Sequence, residues 1–187
     1  MNFGITGSRG FIGRHLVAEL KNQKANLSFF DRPHGDLLIL SDPLKKFVAD
    51  KNTIIHTAAV NRGTDAEIIA GSVIATHNLI TSLIKTKSKA KIVFLSSVRA
   101  NDNSVYGLSK KLTEIMLKSF SESNKIPVSI LRLTNVFGEG CKPLYNSVVA
   151  TFCYKITNNQ KIQILDGDKK IRFIYVKDAV QAIIKEA

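Results

Sequence analysis

The segment Thr6-Gly7-Ser8-Arg9-Gly10-Phe11-Ile12-Gly13 constrains this chain more than any other. It joins a short apolar run, residues 2–6, to residues 11–22, where Phe11, Ile12, Leu16 and Val17 recur at helical spacing. Glycines spaced in this way let a strand turn sharply into a helix and let the backbone come close to a ligand. The free N–H groups and partial positive charge at a helix start then suit a pyrophosphate.

Further apolar runs at residues 27–31, 53–57, 91–96 and 128–133 have the length of buried strands. Helical patterns cover residues 65–85, with Ile68, Ile69, Val73, Leu79, Ile80 and Leu83, and residues 105–120, with Leu108, Leu112, Ile115, Met116 and Phe120. Alternating strands and helices predict an α/β fold with a doubly wound, Rossmann-like parallel sheet, whose ligands lie beyond the carboxyl ends of the strands. The unusual residues fall there: the glycine loop, then Asp31 and Arg32, Ala58 to Arg62, Ser96 and Ser97, and Asn135.

Within that frame residues 7–13 (Gly7, Ser8, Arg9, Gly10, Phe11, Ile12 and Gly13) are expected to hold a dinucleotide. Asp31 lies 18 positions after Gly13, close to the roughly 20 at which an acidic residue meets the adenosine ribose. Asp31 favours NAD(H), whereas Arg32 and Arg9 would pair with a 2′-phosphate and favour NADP(H). The two arginines make NADP(H) the preferred expectation, with NAD(H) possible.

Tyr106 and Lys110 stand four apart, on one face of a predicted helix capped by Asn103 or Ser104. The chain has 4 tyrosines and 20 lysines, so the spacing gains meaning only from context: Ser97 at the end of the preceding strand. A nearby ammonium and a helix N-terminus are expected to lower the phenol's pKa from about 10. Tyr106 would then exchange a proton with a substrate oxygen, Ser97 would hydrogen-bond that oxygen, and Lys110 would tune Tyr106.

With 187 residues and 44% hydrophobic composition, one domain is expected, covering residues 1–187. The net charge of +12 comes from lysines spread over predicted helix faces and loops rather than interleaved with aromatics, so no nucleic-acid partner is expected. The absence of a run of about 18 apolar residues or a signal-peptide pattern argues against a membrane partner and for a cytoplasmic protein. Cys141, Cys153 and the four histidines match no ligand spacing, so no metal site is expected.

Taken together, Gly7-x-x-Gly10-x-x-Gly13, Asp36-Leu37, His56-x-Ala58-Ala59, Ser97, Tyr106-x-x-x-Lys110, Arg132-x-x-Asn135-Val136-Phe137-Gly138 and Arg172-Phe173-Ile174-Tyr175-Val176-x-Asp178 resemble the extended short-chain dehydrogenase/reductases, the NAD-dependent epimerase/dehydratase family. The resemblance covers nearly the whole chain. It implies that Asp36, Leu37, Ala58 and Ala59 join the cofactor site, that Lys110 also holds the nicotinamide ribose, and that Asn61, Arg62, Asn135 and Arg172 face a nucleotide sugar. It also implies a possible homodimer through the helices at 65–85 and 105–120.

Val60-Asn61-Arg62, Asp102-Asn103, Tyr106-Gly107-x-Ser109-Lys110 and the segment from Cys141 to Ile156 are similar to a narrower group, the capsule and O-antigen reductases that carry a C-terminal cupin domain. This likeness implies NADPH-dependent reduction of the 4-keto group of a UDP-2-acetamido-2,6-dideoxy-hexulose, on the way to UDP-N-acetyl-L-fucosamine. It implies too that the chain ends inside the substrate-binding part and holds no cupin. Only eight residues separate Ser97 from Tyr106, so the active-site wall between them is expected to be reduced.

A dehydratase would need a carboxylate pair where Val98 and Arg99 stand. A nucleotide-sugar 4-epimerase uses the same Ser, Tyr and Lys and stays open as an alternative. So does a non-catalytic dinucleotide- or RNA-binding module, since fold does not fix function.

Overall fold

The computed structural model describes residues 1–164, 168 and 170–187. Five parallel strands, β1 (Asn2–Thr6), β2 (Asn26–Phe30), β3 (Thr53–His56), β4 (Lys91–Ser97) and β5 (Val128–Leu133), form one sheet in the order β2-β1-β3-β4-β5. The predicted strands thus stand within a residue or so of their expected bounds.

Side chains alternate across a strand, and these strands are covered on both faces. Ile54, Ile92 and Phe94 point into one core, with α2 (Asp42–Ala49), α4 (Ala75–Thr86) and α5 (Val105–Asn124) supplying Leu44, Phe47, Leu79, Leu83, Leu117 and Phe120. Ile5, Ile55, Val93 and Leu95 point into the other, against Leu16 and Leu20 of α1 (Phe11–Asn22) and Val180 and Ile183 of α7 (Val176–Lys185). The last helix therefore completes the second layer, and the Thr53 hydroxyl donates to the Ala187 carbonyl at 2.9 Å.

A second, two-stranded parallel sheet pairs β6 (Asn135–Phe137) with β7 (Phe173–Tyr175), and α6 (Val148–Thr157) lies between them in sequence. These elements and α2 are additions to the sequence reading. The helix expected over 65–85 is instead α3 (Asp65–Ile69), a π-helical turn (Ala70–Ile74) and α4. Asp65–Thr86 as a whole is long and apolar enough to cross a membrane by length and composition, but half of its most apolar 18 residues are buried inside the fold, as in a core helix.

Strand order reverses at β1, whose neighbours are β2 on one side and β3 on the other, so a crevice opens between the carboxyl ends of β1 and β3. The floor there is fixed by a buried histidine. His56 Nε2 lies 3.0 Å from Thr76 Oγ1, which itself donates to the Ser72 carbonyl; His56 Nδ1 lies 2.7 Å from Thr6 Oγ1. Because Thr76 spends its proton on Ser72, Nε2 carries the imidazole hydrogen and Nδ1 accepts from Thr6. Burial, with Lys110 nearby, holds the His56 pKa at about 3, so this ring is neutral.

Candidate active site

Two adjoining cavities occupy the crevice and share Ala58 and Ala59. The smaller, about 530 Å³, is lined at one end by Asp31, Arg32, Asp36 and Leu37 and at the other by Arg62, Gly71 and Ala75. The larger, about 710 Å³, runs from the start of α1 to Ser97, Tyr106, Lys110, Asn61 and Asn135.

The β1–α1 turn has the form its glycines predict. Gly7 adopts φ +77°, and a Cβ there would press on Thr57 Oγ1 and the backbone of Ala58. A Cβ at Gly13 would strike the Gly7 carbonyl and come within 2.9 Å of Ser8 Cα. Gly10 caps α1 without any side-chain hydrogen bond. The first backbone bond of that helix is Arg14 N–H to the Gly10 carbonyl, 2.9 Å, so the N–H groups of Phe11, Ile12 and Gly13, which line the larger cavity, are left for a ligand. This donor set fits a dinucleotide pyrophosphate.

Asp31 holds the turn itself. Its carboxylate accepts from Gly7 N–H (2.5 Å), Ser8 N–H (3.1 Å) and the Ser8 hydroxyl. Ser8 is thereby turned toward β2 rather than into the larger cavity, and Arg9 is exposed and lines neither cavity. Arg32, also exposed, pairs with Asp36 at 3.1 Å, and Asp36 Oδ1 accepts from Leu38 N–H. Asn78, a residue no motif marked, fixes this edge by donating to the Leu37 carbonyl at 2.9 Å.

Ser104 caps α5, accepting from Gly107 N–H at 3.0 Å, which places Tyr106 in the first turn. Lys110, one turn on, is buried; its Nζ donates to the Leu95 carbonyl at 2.9 Å and sits 6.0 Å from the Tyr106 ring centre. Burial lowers the Lys110 pKa to about 8, although Glu114 opposes the shift.

One expectation is corrected here. The Tyr106 pKa is raised: burial of the phenol outweighs the opposite effects of the Ser97 hydroxyl and the Arg99 guanidinium. The physical reason is that the ring sits half-buried against the cavity wall, where a phenolate would be poorly solvated.

Asn135 reaches the larger cavity, but Arg172 is exposed and lines neither; its carbonyl instead receives the Thr134 hydroxyl at 2.6 Å. Arg62 stacks on Tyr145 with 5.1 Å to the ring centre, beside Lys142 at 5.3 Å. Sequence reasoning gave no cavity role to Arg14, Arg99, Cys141, Lys142, Tyr145 or Asn146, all of which line the larger cavity. Arg99 carried a signal in its place two residues after Ser97, and Cys141, Lys142, Tyr145 and Asn146 in the resemblance of the segment that holds them; Arg14 carried none. Among the described residues no cluster of potential metal ligands occurs.

Comparison with known proteins agrees with this fold. The model of the NAD dependent epimerase/dehydratase family matches residues 4–186. The chain belongs to that family. It is 33% identical over 183 residues to the UDP-2-acetamido-2,6-beta-L-arabino-hexul-4-ose reductase of Pseudomonas aeruginosa, covering 97% of this chain and 48% of the reductase. The crystal structure of the capsular polysaccharide assembling protein CapF from Staphylococcus aureus superposes with a TM-score of 0.83 at 33% identity, covering 99% of this chain and 48% of CapF. MoeE5, solved with UDP-glucose and NAD, gives a TM-score of 0.86 at 26% identity over 100% of this chain and 72% of its own. The chain thus spans about half the length of the reductase and of CapF.

Proposed function

We propose that this family member reduces the 4-keto group of a UDP-linked 2-acetamido-2,6-dideoxy-hexulose, using NADPH, in the cytoplasm. The observation that carries the reading is the single cavity in which the uncapped start of α1 meets Ser97, Tyr106 and Lys110. Likeness to the Pseudomonas aeruginosa reductase and to CapF supports the substrate class and a place in capsule or O-antigen precursor synthesis.

The smaller cavity would take the adenosine and the larger the nicotinamide and the sugar. Bound dihydronicotinamide would supply a hydride to the C4 carbonyl carbon. Tyr106 gives its phenolic proton to the carbonyl oxygen, and its raised pKa keeps that proton available at neutral pH. Ser97 hydrogen-bonds the same oxygen. Lys110, anchored on Leu95, holds positive charge behind the phenol and would contact the nicotinamide ribose. Asn61, Arg62 and Asn135 would face the nucleotide sugar. Because Asp31 is engaged by the glycine loop, Arg32, exposed beside its partner Asp36 in the smaller cavity, would meet a 2′-phosphate, which favours NADPH over NADH.

The test is titration with NADPH and with NADH by nicotinamide fluorescence, followed by turnover on the 4-keto UDP-sugar. Tighter binding of NADPH that Arg32→Ala weakens, and a loss of 100-fold or more in kcat for Tyr106→Phe at unchanged NADPH Kd, is expected for loss of a general acid. A folded chain that binds neither nucleotide, or a Tyr106→Phe variant with full activity, would overturn the proposal.

A further inference from the structure

The short link between β4 and α5 places a second cation beside the catalytic phenol. Ser97 is followed by a 3₁₀ turn, Val98–Asn101, and then by Asp102, Asn103 and the cap Ser104. Arg99 Nε donates to Asp102 Oδ2 at 2.8 Å and Nη2 to Ser104 Oγ at 3.0 Å. Asp102 Oδ1 in turn accepts from the backbone N–H of Ser104 at 3.0 Å and from its hydroxyl at 2.5 Å. Held at two points, the guanidinium carbon of Arg99 lies 5.5 Å from the Tyr106 ring centre and lines the same cavity. Lys110, the other cation near that ring, is the more distant at 6.0 Å and is tied to Leu95.

We propose that Arg99 is a positioning residue for Tyr106: clamped by Asp102 and Ser104, it packs against the phenol ring, fixes its direction and supports the negative charge left on the oxygen when the proton departs. Planarity and delocalised charge suit a guanidinium to lie against an aromatic ring while donating sideways to a carboxylate. The inference rests on the reading of Tyr106 as the acid, but its test does not need turnover.

The other charged or titratable groups about this site are accounted for. Asp102 opposes Arg99 in its effect on the phenol, and Arg99 itself acts to lower the phenol's pKa. Arg14, Lys142, Cys141 and Tyr145 line the same cavity, from α1 and from the segment after Gly140. On α3, which packs on α5, Glu67 is folded back on Thr64, accepting from its N–H at 2.7 Å, and Asp65 is exposed.

The experiment replaces the tyrosines with a fluorinated tyrosine that ionises nearer neutrality and follows each by ¹⁹F NMR against pH, with Tyr106→Phe assigning the resonance and circular dichroism checking the fold. A unit charge about 6 Å away, screened as at a protein surface, displaces a neighbour's titration by about half a pH unit or more. Arg99→Gln should therefore raise the Tyr106 midpoint by about half a unit to one unit and broaden its resonance, and Arg99→Lys should restore the midpoint but not the line width. A folded Arg99→Gln protein with an unchanged midpoint would overturn the proposal, as would Arg99→Lys behaving like Arg99→Gln. If the midpoint moves as expected while Tyr106→Phe retains turnover, Arg99 keeps its role and the reading of Tyr106 as the acid fails instead.

Discussion

Glu114 offers the sharpest test of how α5 is held. Its carboxylate is buried, one turn beyond Lys110 on α5, and accepts three hydrogen bonds: Ser96 Oγ at 2.6 Å, Arg132 Nε at 2.8 Å and Arg132 Nη2 at 2.6 Å. Burial pushes this carboxyl up, but the Arg132 and Ser96 hydrogen bonds overcome that and leave it below the ordinary carboxylate range. Arg132 also reaches Asn101 at 2.7 Å, so one fork joins β4, β5, α5 and the 3₁₀ turn.

Glu114→Gln keeps the volume and the acceptor for Ser96 but leaves Arg132 and Lys110 without a counter-charge. Breaking a fully buried pair costs about 3–5 kcal/mol. Arg132 is one-third exposed, so water recovers part of that, and about 2 kcal/mol is expected. For a chain of this size that lowers Tm by about 4–8 °C. Urea unfolding of Glu114→Gln, Arg132→Met and the double variant gives both the loss and the coupling. Because the folded pKa lies below the unfolded one, the contribution is present above pH 4.5 and fades as pH falls through the folded value. A loss under 0.5 kcal/mol, or single-variant losses that simply add, would refute the argument.

Three more outcomes follow from the same geometry. His56 is neutral when folded, with pKa about 3, and titrates near 6.5 when unfolded. Its contribution is therefore complete above pH 6.5, and stability falls by up to about 1.4 kcal/mol per unit as pH drops from 6.5 toward 3; denaturant midpoints of a His56→Gln variant should show a correspondingly flatter acid limb. Gly13→Ala forces backbone atoms apart in the β1–α1 turn and should cost about 1–3 kcal/mol in thermal unfolding along with dinucleotide binding in fluorescence titration. Gly10→Ala meets only the Gly7 carbonyl, at 3.2 Å, and should remain close to the parent in stability.

What the sequence made legible was whatever depends on local pattern. A run such as Lys91 to Ser96 is a strand because alternate residues feed two cores, and that periodicity survives any tertiary detail. The glycine loop was legible because Gly7 and Gly13 meet hard steric limits. The helix expected over 65–85 was found, but its π-helical turn was not, since no residue pattern distinguishes it from regular helix. The small second sheet was missed because β6 and β7 are three residues each, too short for any periodicity. Arg172 was assigned to substrate by motif, yet the structure uses its carbonyl to receive Thr134 and leaves the side chain outside both cavities. The Tyr106 phenol was misjudged for a related reason. Spacing places Tyr106 and Lys110 on one face of α5, but cannot say how deeply the phenol will be buried.

The short wall between Ser97 and Tyr106 then acquires a physical meaning. A long connection could place substrate-binding groups over the cavity, but it would have to be ordered at a cost in entropy for every residue. Here the connection is one 3₁₀ turn and the three residues after it, whose polar groups are turned inward on one another through Arg99, Asp102 and Ser104. The far side of the same helix is held by Glu114, Arg132 and Ser96. Tyr106 thus lies between two clamps that both originate at the end of β4, one after Ser97 and one at Ser96. Its position relative to Ser97 is set by this strand–turn–helix unit, which lets the proposed proton donor and the proposed hydrogen-bonding hydroxyl keep their spacing whatever the rest of the cavity wall does. Loosening either clamp should therefore act on the proposed proton transfer before it acts on dinucleotide binding, because the donors proposed for the pyrophosphate belong to α1 and the turn after β1.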